Sequence, residues 1–256
     1  MAKIHTRTFR VRWSELDSSG TFSPENFLRY LIETAYDWGD SLGLGSVAYE
    51  EMGIYWLIRQ TEMTIYKTPV HNDVVDLTIW MLSWQKVRGT RCFEIKFSNT
   101  GEIIAHGIQK IVSMDRATNR PTVLADEFID SFKLENPIKF EESGISFSSS
   151  SKPFFTCAKT VELHDLDAQQ HVNNAVYFSY AREALAKALS SQGVPVQSLS
   201  PAFLQIQYTS PAVWGEELKL DVINEQPAVT PAVYHIKMVR KIDGAFVSDC
   251  VIRLRD

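Results

Sequence analysis

Apolar and polar residues alternate loosely from Ile4 through Phe9 and Val11 to Trp13, and this predicts a strand over residues 4–13. The period then changes. Beyond Ser23-Pro24, residues Phe27, Leu28, Leu31, Ile32, Ala35 and Trp38 recur at helical intervals and give one broad apolar face. Ser23 is placed as the N-cap of this helix and Pro24 as its first residue, and the pattern runs out near Gly43 and Gly45. Alternating runs return near residues 57–67, 74–85, 90–97 and 103–114, and each predicts a strand.

The same succession begins again in the second half. At a constant offset, Glu15-Leu16-Asp17 meets Asp165-Leu166-Asp167, Thr21 meets His171, Ser23 meets Asn173, Phe27 meets Tyr177, Tyr30 meets Tyr180 and Glu33 meets Glu183. Downstream, Tyr66-Lys67-Thr68-Pro69 meets Tyr208-Thr209-Ser210-Pro211 at a smaller offset, so the second copy has a shorter helix-to-strand connection. Strands are predicted near 202–210, 217–225, 231–240 and 246–254. The chain therefore reads as an internal duplication. Between the copies, Glu135–Pro153 holds Asn136-Pro137, Gly144 and a serine run and lacks periodicity, which predicts a linker. One apolar helix and several antiparallel strands, twice, give an α+β protein in which each helix is wrapped by its own sheet.

Composition narrows the function classes. The 256 residues are 45% hydrophobic and 22% charged, the profile of a soluble globular protein, and the net charge of −5 carries no basic signature for nucleic acid. Cys92, Cys157 and Cys250 stand far apart without a CxxC pair, which fits a reducing compartment and argues against a zinc site. The N-terminus lacks an apolar signal core, and no apolar run approaches the roughly 20 residues that cross a bilayer. These features lead us to expect a cytoplasmic enzyme without metal or cofactor.

The chemistry concentrates in Asp165-Leu-Asp-Ala-Gln-Gln-His-Val-Asn-Asn-Ala-Val-Tyr177, just ahead of the second helix. Asp165, Asp167, Gln169 and His171 occupy alternate positions, and an extended segment would aim them the same way. Asn173 is expected to cap the helix. An imidazole, carboxylates and carboxamides beside the free N–H groups of a helix start are suited to activating water and holding a carbonyl. The first copy has Ser19 and Thr21 where the second has Gln169 and His171, which points to a single active site, in the second copy.

This motif resembles the hallmark of the acyl-acyl carrier protein thioesterases of plant and bacterial type, and the resemblance extends over nearly the whole chain. It implies a double hot-dog: an N-terminal hot-dog domain over 1–135 that binds the acyl chain, a linker over 136–153, and a C-terminal hot-dog domain over 154–256 with the catalytic motif. The family's catalytic Asp falls on Asp167 and its His on His171. Its catalytic Asn falls on Gln169, whose extra methylene moves the carboxamide by roughly an ångström. The acidic residue and Cys that the plant enzymes carry after the downstream Tyr are absent from Tyr208-Thr209-Ser210-Pro211-Ala212.

The resemblance implies hydrolysis of fatty acyl-acyl carrier protein to free fatty acid and carrier protein, which terminates fatty acid synthesis. Two alternatives stand beside it, a non-catalytic acyl-thioester-binding module and an acyl-CoA thioesterase. His171 and Asp167 are expected to share general-base work, with Gln169 placing water and the N–H groups around Asn173 and Asn174 receiving the oxyanion. A mixed anhydride on Asp167 is the competing mechanism. The acyl chain is expected among Trp13, Phe27, Tyr30, Leu31 and Trp56. The partner is the acidic acyl carrier protein, received by Lys86, Arg88 and Arg91 or by Lys237, Arg240 and Lys241. No nucleic acid and no membrane span is expected, and a homodimer is compatible with the sequence.

Overall fold

The strand–helix–strands order occurs twice, as the repeat predicts. A computed structural model describes residues 3–132, 134, 137–144, 152–195, 199–224 and 232–255, and the chain divides into two units at 142/143. In the first unit, β1 (Ile4–Arg10) leads to α1 (Glu25–Ser41), a short α2 (Ser46–Glu51), and then β2 (Ile54–Ile65), β3 (Val74–Gln85), β4 (Arg88–Phe97) and β5 (Ile103–Asp115). A two-residue strand, β6 (Arg120–Pro121), pairs with β5, and α3 (Asp126–Phe132) follows. The sheet runs β1-β3-β4-β5-β2, antiparallel throughout.

The second unit holds β7 (Phe155–Thr160), α4 (Asn174–Ser190), β8 (Pro201–Tyr208), β9 (Glu217–Asn224), β10 (Val233–Arg240) and β11 (Phe246–Leu254). Its order is β8-β11-β10-β9-β7, again antiparallel. Matched strand for strand, the two sheets have one topology. The difference in offset falls on the connection that contains α2 and on β2, which has 12 residues against 8 in β8.

Each helix is held by its apolar face. In α1, Phe27, Leu28, Tyr30, Leu31, Thr34 and Trp38 are buried, and in α4 the buried set includes Val176, Phe178, Ala181, Leu185 and Leu189. Each large apolar side chain so buried contributes about 1.5–3 kcal/mol. The helix starts differ. Pro24 has helical dihedrals (φ −59°, ψ −28°) and Asn26 N–H donates to the Ser23 carbonyl at 2.9 Å, whereas Asn173 caps α4 with its side chain, Oδ1 accepting Ala175 N–H at 3.0 Å.

The strand expected over 4–13 ends at Arg10, because Trp13–Glu15 form a 3₁₀ turn closed by Glu15 N–H on the Arg12 carbonyl. The aperiodic stretch after α3 also holds structure that no pattern announced. Residues 137–142 pack on the face of the first sheet turned away from α1: Trp80 Nε1 donates to the Ile138 carbonyl at 3.0 Å, and Phe140 stacks on His106 with ring centroids 4.1 Å apart. Phe140 and Leu134 lie against a buried group of Trp80, Cys92 and Ile108, and Lys110 reaches Glu142 at 2.7 Å. The serine run 145–151 lies outside the described residues. Among those described, no helix is long and apolar enough to cross a membrane.

Candidate active site

The polar motif is a closed turn rather than an extended segment. Leu166 and Val172 form an isolated bridge, Asp167 N–H donates to the His171 carbonyl at 2.9 Å, and Gln170 N–H donates to the Asp167 carbonyl at 3.0 Å. Asp167 Oδ1 accepts Gln169 N–H at 2.9 Å, an Asx turn that bends the chain two residues on. Gln170 completes the reversal at φ +64°. The expectation that four alternate residues point one way is therefore corrected. The local Asx geometry wins over an extended backbone.

Asp165 leaves the group altogether. It is buried in a 3₁₀ turn, where Oδ2 accepts from Tyr180 O–H at 2.6 Å and from Glu162 N–H at 2.8 Å. Burial pushes its carboxyl up, but the Tyr180 and Glu162 bonds, with Lys159 and His164 nearby, outweigh burial and leave it below the usual carboxylate range. Tyr180 is correspondingly raised by burial and by its bond to Asp165. The first unit has the same device, with Glu15 Oε2 accepting from Tyr30 O–H at 2.7 Å and from Arg12 N–H at 2.8 Å.

The first unit repeats the turn bond for bond. Asp17 N–H meets the Thr21 carbonyl, Gly20 N–H the Asp17 carbonyl, and Ser19 N–H meets Asp17 Oδ1. The side chains then diverge. Ser19 Oγ bonds Asp17 Oδ1 at 2.5 Å and Thr21 Oγ1 at 2.9 Å, so this turn closes its polar groups on one another. In the second unit, among the described residues, no side-chain-to-side-chain bond joins Asp167, Gln169 and His171, and the Gln169 carboxamide and the His171 ring make no hydrogen bond to the chain. Gln169 is exposed and Asp167 and His171 are half-buried. The turn thus offers a carboxylate, a carboxamide and an imidazole to an incoming molecule.

The helix start narrows the oxyanion donors. Asn173 N–H donates to the Asp165 carbonyl, Ala175 N–H to the Asn173 side chain and Val176 N–H to the Asn173 carbonyl. Asn174 N–H has no acceptor within the chain among the described residues, and the Asn174 carbonyl accepts from Tyr208 O–H at 3.1 Å.

The five aromatic and aliphatic residues expected around an acyl chain do not form one group. Phe27 and Leu31 are completely buried, and Tyr30 stacks on Phe9 at 3.9 Å, all in the packing of α1. Trp13 is 75% exposed, its ring edge-on to His71. Trp56 stands in a ring cluster with Tyr49, Trp84 and Phe128, beside Met81, Leu124 and Phe132. Arg91 faces the α1 side of β4, not the surface of the Lys86–Arg88 hairpin. Its Nε donates to Gln109 Oε1 at 2.7 Å, Gln109 passes the bond to Thr61, and burial pushes the guanidinium down to about 10. Arg240 is engaged by Glu216 at 2.8 Å and Asp243 at 3.2 Å, and Lys241 by Glu217. Neither expected basic cluster is an intact patch. An open groove of about 460 Å³ runs along β1 instead, lined by Arg10, Arg12, Trp13 and His71.

Comparison with known proteins gives a consistent result. Residues 2–132 match the family profile of the acyl-ACP thioesterase N-terminal domain, and residues 149–245 match that of the C-terminal domain. The chain is 27% identical over 193 residues to the chloroplastic palmitoyl-acyl carrier protein thioesterase of Gossypium hirsutum, covering 71% of this chain and 47% of that protein. It spans about half the length of the curated relatives it matches. An acyl-ACP thioesterase structure from Bacteroides thetaiotaomicron superposes with a TM-score of 0.81 at 16% identity, covering 99% of this chain and 98% of that one. The 12:0-ACP thioesterase of Umbellularia californica gives 0.79 at 18%, covering 100% and 98%. At these identities the likeness speaks for the tandem hot-dog fold.

Proposed function

From the premise that this chain belongs to the acyl-ACP thioesterase family, we propose that it hydrolyses fatty acyl thioesters of acyl carrier protein at the Asp167–His171 turn. One observation carries the reading. Two turns of one backbone geometry differ in that the first ties its side chains together and the second leaves a carboxylate, carboxamide and imidazole unbonded to each other.

In this reading, water adds to the thioester carbonyl, the C–S bond breaks, and the products are the fatty acid and the carrier thiol. His171 takes the proton from water and returns it to the departing sulfur. Asp167 uses one oxygen to hold the turn and has the other to orient His171 or water. Gln169 places the water, and Asn174 N–H receives the oxyanion at the positive end of α4. The acidic carrier meets Arg10, Arg12 and His71 along the β1 groove.

His171→Ala and Asp167→Ala are each expected to lower kcat on acyl carrier thioesters by at least ~10²-fold, the scale of a positioned acid–base group. Thr21→Ala, at the matching place in the first unit, should leave kcat within twofold of the parent, or about there. Equal losses at Thr21 and His171 would refute a single site in the second unit. An acyl-CoA preference would show as a higher kcat/KM on the CoA ester than on the carrier ester of the same chain length.

A further inference from the structure

We propose that Tyr177 is a positioning residue of the hydrolytic site: its phenol oxygen anchors Ala212, and Ala212 in turn holds the backbone next to His171. The inference rests on the reading of the Asp167–His171 turn as that site. Val172 N–H, one residue beyond His171, donates to the Ala212 carbonyl at 2.9 Å. On the other side of the same residue, Ala212 N–H donates to Tyr177 Oη at 2.9 Å. Tyr177 is 3% exposed on the first turn of α4 and packs its ring against Tyr208 at 5.8 Å. Ala212 is thus gripped through both its backbone groups. Its neighbours are gripped as well, since Arg240 Nη2 donates to the Pro211 carbonyl and Val213 N–H donates to Glu216 Oε2.

The first unit shows what the fold alone requires. Phe22 N–H, the counterpart of Val172 N–H, donates to the Pro69 carbonyl at 2.8 Å. The helix residue that matches Tyr177 is Phe27, fully buried, without a hydroxyl. Judged by this bond, Pro69 takes the place of Ala212, one residue beyond the Pro211 that it meets in the sequence, and it has no N–H. Both halves of the bond are missing where no site is formed, and both are present where the turn carries Asp167 and His171. A hot-dog helix therefore packs with Phe at this place, and the phenol serves something other than the fold.

The phenol also retains its own proton, which has no acceptor among the described residues. Burial raises Tyr177 to about 12, with Glu216 and Asp167 adding to the rise against the Ala212 N–H bond and Arg240. The proton therefore stays on the oxygen through neutral pH, and the contact to Ala212 persists.

The test compares Tyr177→Phe, Ala212→Pro and the double variant, which rebuilds the Phe27–Pro69 pair of the first unit, with Thr21→Ala as the control. Each is assayed for kcat and KM on an acyl carrier thioester and for amide exchange at Val172. We expect Tyr177→Phe to lower kcat ~10-fold with KM within about twofold, because a loosened turn misplaces the reacting groups without removing binding contacts. Val172 exchange should quicken in parallel, the double variant should be no worse than the poorer single one, and Thr21→Ala should keep kcat within about twofold. Full kcat in Tyr177→Phe, or unchanged Val172 exchange, overturns the proposal. A parent that does not hydrolyse the thioester overturns the hydrolytic reading instead, and the exchange at Val172 then decides whether Tyr177 holds the turn.

Discussion

Each unit bonds a carboxylate before its long helix to a phenol on that helix, Glu15 to Tyr30 and Asp165 to Tyr180, and Asp165 is the buried one. The motif read as four chemical residues therefore contains one that is architectural. Asp165 ties the 3₁₀ turn to the second turn of α4, and its depressed pKa makes it a source of pH-dependent stability. A folded carboxyl below its unfolded value of about 3.9 stabilises the protein above that value, and the contribution is lost as pH falls through the folded pKa. Tyr180→Phe should cost about 1.5–3 kcal/mol at neutral pH, the worth of a hydrogen bond to a charged group. Denaturant unfolding at pH 7 and at pH 3 measures it, and the deficit should narrow at the lower pH. An equal deficit at both would show that Asp165 is not ionised against Tyr180.

At the scale of elements, the turn before each helix shows how far sequence reasoning reached. The duplication, both long helices, the succession of strands along each unit and the Asn173 cap were legible, because apolar period and cap chemistry are local signals, whereas the order of strands in each sheet was not. The turn geometry was not, since alternate spacing says nothing about an Asx turn that reverses the chain. Tyr177 was visible as the partner of Phe27 at the repeat offset, but the N–H it accepts comes from Ala212, which is distant in sequence. The 137–142 segment gave no signal because its contacts are single side chains on a sheet face, without periodicity. One strained residue follows from the same comparison. Gln170 sits at φ +64° where the first unit has Gly20 at +78°. A left-handed non-glycine residue costs roughly 1 kcal/mol, so Gln170→Gly should raise the unfolding free energy by up to about that amount. A fall in the denaturant midpoint would show that the Gln170 side chain contributes more than its backbone costs.

For the whole molecule, charge is the informative quantity. On the proposed reading, a net charge of −5 would repel an acidic carrier over most of the surface, so association would need a local exception. Arg10 and Arg12 are exposed and, among the described residues, have no carboxylate within ion-pair distance, in contrast to Arg7, which is held by Glu33 and Asp37. Arg10→Glu with Arg12→Glu should raise KM for the carrier-bound substrate ~10-fold at low salt and leave the same acyl chain on pantetheine unaffected. The difference should shrink at high ionic strength, where exposed charges are screened. Equal effects on both substrates would place the carrier elsewhere.

The segment laid over Trp80 and Cys92 makes one thiol a clock. Cys92 is wholly buried beneath Phe140, and burial raises its pKa, so a disulfide reagent in solvent can attack it only during the moments when residues 137–142 lift away. Labelling of Cys92 then proceeds at the opening frequency of that segment. Phe140→Ala should speed it, and added salt should speed it in the parent by weakening Lys110–Glu142. Mapped by peptide mass, the order in which Cys157, Cys92 and the fully buried Cys250 acquire label would rank the local openings of this chain without any assay of its activity.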